Sequence, residues 1–175
     1  MRNNWLVLLA LAAAPLLLGS ANPSAPAQHV AHKVAKHDDR QNAQRAEAAK
    51  AGLIRFDGVY QAAYADYFFY LRLYPDGTAI TVTAPESSEA LNDWFNRSCV
   101  GLPRGPYTIQ SGRIQFTAHA KRGAVEYAGT LGPDRIDLHV RSLMNGHESD
   151  HSYRFIAIGA PSEQLSDDAP ASCRN

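Results

Sequence analysis

Tyr70, Arg72 and Tyr74 alternate along one β-rich run, and alternation places all three on the same side of a strand. If that side faces an enclosed space, the guanidinium between two phenols is a dehydrated cation that needs a carboxylate or an anionic ligand as its partner. If it faces out, the arginine stem lies along aromatic surface and its head stays in water. The sequence leaves both readings open, because Phe69, Leu71 and Leu73 give the opposite side equal bulk. Trp94 and Tyr107 are further aromatic residues suited to a binding space. The candidate ligand set is therefore Tyr70, Arg72, Tyr74, Trp94 and Tyr107.

Other clusters offer different chemistry. His147-Glu148-Ser149-Asp150-His151 packs potential metal ligands into one short segment, but Asn145-Gly146 marks the segment as a hairpin tip, where polar residues are expected on solvation grounds. His29, His32 and His37 lie near Asp38 and Asp39 in a leader without a hydrophobic period, so no metal site is expected there either. His119, His139, Glu126 and Asp137 fall on polar strand faces, where an acid–base pair or a solvated exterior would look alike. There is no Gly-rich phosphate loop, nucleophile elbow or structural-zinc spacing. No catalytic residue and no cofactor are expected, and the chain reads as non-enzymatic.

The elements that must position these residues follow from turn chemistry. In Tyr67–Thr83, two β-rich runs flank Pro75-Asp76-Gly77; proline presets the first turn position and glycine accepts the left-handed one. Pairing Tyr74 with Thr78 puts Tyr70, Arg72 and Tyr74 on the face of Ile80 and Val82. The same grammar recurs at Ser111-Gly112, Arg122-Gly123, Gly132-Pro133-Asp134 and Asn145-Gly146. It gives strands at roughly 54–61, 66–74, 78–84, 105–110, 113–120, 123–131, 135–142 and 151–158. Period-two patterns such as Ile136, Leu138 and Val140 between Asp137, His139 and Arg141 indicate sheets with one buried face. Short strands and tight turns predict an all-β fold, an eight-stranded antiparallel up-and-down barrel whose closure removes exposed edges. One insertion, Ser87 to Phe95, carries Leu91, Trp94 and Phe95 at helical spacing. It should form a short helix, either packed on the sheet surface or lying as a lid on the barrel mouth.

Met1-Arg2 and the apolar stretch from Trp5 to Leu18, followed by Gly19-Ser20-Ala21, read as a secretory signal over residues 1–21. The apolar run of about 14 residues is shorter than the roughly 20 a spanning helix needs, so no membrane span is expected. Residues 22–52 read as a flexible leader with a short helix after Asp38-Asp39 that stops at Gly52. Residues 53–159 form the barrel, and 160–175 a polar tail. Removing the signal takes away one arginine from an otherwise balanced chain of 17 basic and 17 acidic residues, which argues against nucleic acid or anionic surfaces as partners. Cys99 and Cys173, an even pair in an exported chain, are expected to form a disulfide.

Phe56-Asp57-Gly58-Val59-Tyr60, then Tyr70-Leu71-Arg72-Leu73-Tyr74-Pro75-Asp76-Gly77-Thr78, Gly105-Pro106-Tyr107-Thr108-Ile109 and Tyr153-Arg154-Phe155 resemble a lipocalin-like (calycin-type) domain. Similar runs occur in the β-domain of some F-box proteins and in small exported bacterial proteins of unknown function. Where lipocalins carry Gly-x-Trp, Gly58-Val59-Tyr60 stands here, so the resemblance implies fold more than ligand. The expectation is a periplasmic or secreted protein that binds a small apolar or amphipathic ligand. The alternative is an envelope protein-interaction or inhibitor module acting through its surface loops.

Overall fold

A computed structural model describes residues 25–99, 101–160 and 173, with side chains from residue 33 onward. The expected signal segment, residues 1–21, and most of the tail lie outside the described residues, as do the side chains of His29 and His32. Helix α1 (Ala25–Lys50) precedes eight strands: β1 (Gly58–Tyr64), β2 (Tyr67–Leu73), β3 (Thr78–Ala84), β4 (Arg104–Gln110), β5 (Arg113–Ala120), β6 (Gly123–Gly132), β7 (Arg135–Ser142) and β8 (Glu148–Ala157). Each strand pairs antiparallel with its sequence neighbour, and β8 pairs with β1 to close the barrel.

The β2–β3 hairpin has the expected register, with Arg72 opposite Ile80 and Tyr70 opposite Val82. Tyr74 N–H donates to Thr78 O, and the Asp76 carboxylate accepts from Thr78 N–H, fixing the turn. Gly77 has φ +92°, and a side chain there would also strike the Arg45 guanidinium, so two constraints meet at one glycine. Three strand boundaries differ from expectation by three residues or more, one of them the end of β1, at Tyr64 rather than 61. β1 starts at Gly58 rather than near residue 54, because Leu53 and Ile54 are used to plug the barrel end. β8 starts at Glu148 rather than 151, because Arg141–Glu148, Val140–Ser149 and His139–Asp150 continue the β7–β8 ladder.

Strand alternation divides the apolar residues into two cores. Inward positions (Tyr60, Leu71, Leu73, Tyr107, Ile114 and Ile136 among them) fill the lumen. The second core lies outside the barrel wall. It joins Val59, Tyr70, Tyr74, Ile80 and Val82 to Leu91, Phe95, Cys99, Leu102 and Cys173 from the insertion and the chain end. The insertion therefore covers the outer surface of the sheet. Its helical content is one 3-10 turn, Asn92–Phe95, which buries Phe95. Cys99 and Cys173 are bonded, with Cα atoms 4.1 Å apart, which holds Cys173 in this layer.

α1 is longer than the sequence reading, which placed a flexible stretch before Asp38. Alanine, lysine and glutamine are strong helix formers and carry the helix back to Ala25 without an apolar face. It ends as expected: Gly52 has φ +70°, its N–H donates to Ala49 O, and Leu53 N–H donates to Ala48 O. This six-to-one, five-to-two pattern turns the chain so that Leu53 packs back beside Ala48. The last turns sit over one end of the lumen. Arg45 lies 5.6 Å from the Tyr107 ring centroid, and Gln41 accepts from Ile109 N–H on β4.

Candidate functional site

With α1 plugging one end, the lumen is open at the other, where the β1–β2, β5–β6 and β7–β8 turns lie. A cavity of about 450 Å³ occupies this mouth. Its wall is aromatic: Tyr64 and Tyr67 at the β1–β2 turn, Phe69 on β2, Tyr127 on β6, and His151 and Tyr153 on β8. Val125, Val140 and Thr83 fill in between them. Ring centroids link Tyr64, Tyr67 and Phe69 at 5.4–5.9 Å, and Phe69 lies 4.6 Å from His151. These are tilted or edge-on contacts, the arrangement the aromatic quadrupole favours. Tyr127 stacks on Phe116 at 4.5 Å and forms the boundary with the filled half of the lumen.

Polar groups enter the cup at few places. Ser149 Oγ lies 2.8 Å from His151 Nε2. Burial lowers the His151 pKa below the usual imidazole value; nearby Asp150 opposes the shift and His147 adds to it. Burial also raises the phenols of Tyr127 and Tyr153, with a hydrogen bond to Thr81 opposing the rise at Tyr127. Near neutral pH the inward-facing strand side chains of the cup are therefore uncharged, and Glu148 is a charged residue at its border. The Ser149–His151 pair has the spacing of a nucleophile and its base. Among the described residues, no carboxylate bonds His151 Nδ1 to orient the ring, so the pair offers hydrogen-bonding capacity rather than a completed catalytic set.

The sequence-derived ligand set lies elsewhere. Tyr70, Arg72, Tyr74 and Trp94 come together, but in the second core outside the wall, and Tyr107 sits in the filled half of the lumen near α1. None of these five lines the cup. Arg72 is neither in the lumen nor on the surface. It is 0 % exposed on the barrel exterior, beneath the insertion. It donates to Asn92 Oδ1 at 3.0 Å and Gly159 O at 2.7 Å. Tyr70 donates to Glu86 O and Tyr74 to Phe95 O, so this layer uses all three residues to hold loops. Desolvation lowers the Arg72 pKa, with Tyr74 and Asp57 opposing.

The acidic and histidine-rich segment is split by strand geometry. Glu148 and Asp150 point outward, where they meet His139 and Arg141, whereas Ser149 and His151 point inward. The signal for His151 was present in the alternation Ser149-His151-Tyr153, but the Asn145-Gly146 turn hid it by making the segment look like a tip. His119 and the Glu126–Arg141 and Arg135–Asp137 pairs lie on the solvated exterior. No described helix is long and apolar enough to cross a membrane. Searches of protein families, curated proteins and solved structures find no match to the chain.

Proposed function

We propose that the protein is an exported, non-enzymatic binding protein of lipocalin-like type, which holds a small apolar or amphipathic molecule in the cup. The observation that carries this reading is the aromatic-lined space of about 450 Å³ at one end of a barrel plugged at the other. That size and lining match ordinary small-molecule sites. The test is fluorescence titration with N-phenyl-1-naphthylamine, a neutral aromatic probe. Saturable one-to-one binding that disappears in Thr83→Trp, a substitution at an exposed mouth position, supports the reading. Absence of binding, or equal binding by the blocked variant, overturns it.

A second reading, an envelope protein-interaction module, is favoured by a different observation. Tyr64, Leu143 and Met144 are large apolar residues exposed at 54 %, 49 % and 59 %, and all three stand on the mouth rim. Capture of a defined envelope partner that is lost in Leu143→Ser/Met144→Ser, with probe binding retained, would favour this reading over the first.

A further inference from the structure

We infer that the cup selects uncharged ligands over anionic ones, with the Ser149–His151 pair as the anchor for the ligand's polar end; this rests on the cup being a binding site. The inward strand positions around the cavity are Tyr67, Phe69, Thr83, Val125, Tyr127, Val140, Ser142, Ser149, His151 and Tyr153. None is lysine, arginine, aspartate or glutamate. Glu148 also borders the cavity, but its carboxylate lies 3.5 Å from Arg141 and 3.7 Å from His139 on the outer face. Arg72, the fully buried cation of the barrel wall, is on the opposite side of β2 under the insertion. An anionic headgroup entering the cup would give up its hydration and meet no fixed cation. A neutral hydrogen-bonding group loses far less and has a partner. His151 Nε2 is engaged by Ser149, and Nδ1 has no hydrogen-bond partner among the described residues.

The same geometry gives the preference a pH signature. His151 is surrounded by Tyr64 from the β1–β2 turn, Phe69 from β2 and Tyr153 from its own strand. Leu138 is opposite on β7. The charged or titratable groups around it are Asp150 beside it on the outer face, Glu148 at the cavity border, His147 at the turn, and the phenols of Tyr64, Tyr67, Tyr127 and Tyr153. Protonating the ring would place a cation among these aromatics. An uncharged ligand that dehydrates it should then bind less tightly, and an anionic ligand more tightly.

Two probes separate these cases because they share one aromatic scaffold: N-phenyl-1-naphthylamine is neutral, and 1-anilinonaphthalene-8-sulfonate carries a sulfonate. Only the binding abolished by Thr83→Trp is counted. At about pH 7.5 the neutral probe should bind roughly tenfold or more tighter than the sulfonate. Between about pH 7.5 and 5 its affinity should fall while that of the sulfonate rises. His151→Gln keeps a hydrogen-bonding side chain without the titration, so both profiles should flatten while the neutral probe still binds. His151→Leu should weaken the neutral probe by roughly fivefold, one hydrogen bond's worth. Sulfonate binding in the cup as tight as that of the neutral probe, or pH profiles unchanged in His151→Gln, overturns this inference and leaves the cup reading standing. Failure of both probes to enter the cup overturns that reading and this inference together.

Discussion

Arg72 shows how far one side chain's role depends on what covers it. Its register, opposite Ile80, was legible from the turn; its environment was not, because the covering layer comes from residues distant in sequence. Its bonds to Asn92 and Gly159 tie β2 to the insertion and to the segment that follows β8, so the arginine acts as a clasp. Removing the whole side chain leaves a cavity and two unmatched acceptors. Arg72→Ala should therefore cost roughly 2–4 kcal/mol by urea denaturation. Arg72→Met refills much of the volume but leaves the same two acceptors unmatched, so it should cost less than the alanine variant, about 1–2 kcal/mol. Equal losses for the two variants would mean that the charge, not the packing, makes the clasp. His151 is the converse case. In sequence it stands at the end of a polar tip segment, and three further ladder pairs, from Arg141–Glu148 to His139–Asp150, set it inside β8 as the cup's imidazole.

At the scale of elements, α1 divides into two parts. Residues 33–40 are exposed, whereas Arg45 and Ala48 are buried against the barrel end. Deleting residues 22–40 should leave the thermal midpoint nearly unchanged. Extending the deletion through Gly52 removes the plug and should lower the midpoint sharply in the same melt. Gly52→Ala retains the helix but forces a side chain into φ +70°, at a cost of about 1 kcal/mol. The helix stop was legible because glycine's conformational freedom is local; the helix start was not, because no apolar stripe runs through Ala25–Lys36 and Asp38-Asp39 offers a later cap. The insertion depends on its tether. The bonded cysteines are 74 residues apart, so Cys99→Ser/Cys173→Ser should lose up to roughly 4 kcal/mol in chemical denaturation, and reductant should produce the same loss in the parent.

Across the whole molecule, the two cores share a dependence on buried phenols. Burial pushes Tyr60 and Tyr74 up to about 12, and drives Tyr107 and Tyr153 higher still. A tyrosine whose folded pKa lies above its unfolded value near 10 favours the native state fully below about pH 10. That contribution is lost as pH rises toward the folded value. Stability should be level through neutral pH and fall steeply above about pH 10, with Tyr60 and Tyr74 each contributing roughly 2–3 kcal/mol to the fall. Tyr60→Phe and Tyr74→Phe should each make the alkaline fall shallower in denaturant midpoints measured against pH. An unchanged slope in both would place the alkaline transition elsewhere.

By itself, the sequence determined what is local: the turn residues, the period-two alternation, the β2–β3 register and the cysteine pair, and from these an eight-stranded antiparallel barrel. Turn chemistry and alternation act over a few residues, so they can be read without knowing what lies opposite. Only the tertiary structure decided which face of β2 is the lumen, what covers Arg72, which end α1 plugs and which aromatics line the open cup. Both faces of β2 carry bulk, and inside and outside are defined by barrel closure and by an insertion folded back over the wall. The candidate site passed from Tyr70, Arg72 and Tyr74 to Phe69, His151 and Tyr153 because burial is a property of the assembled chain, while alternation is a property of each strand.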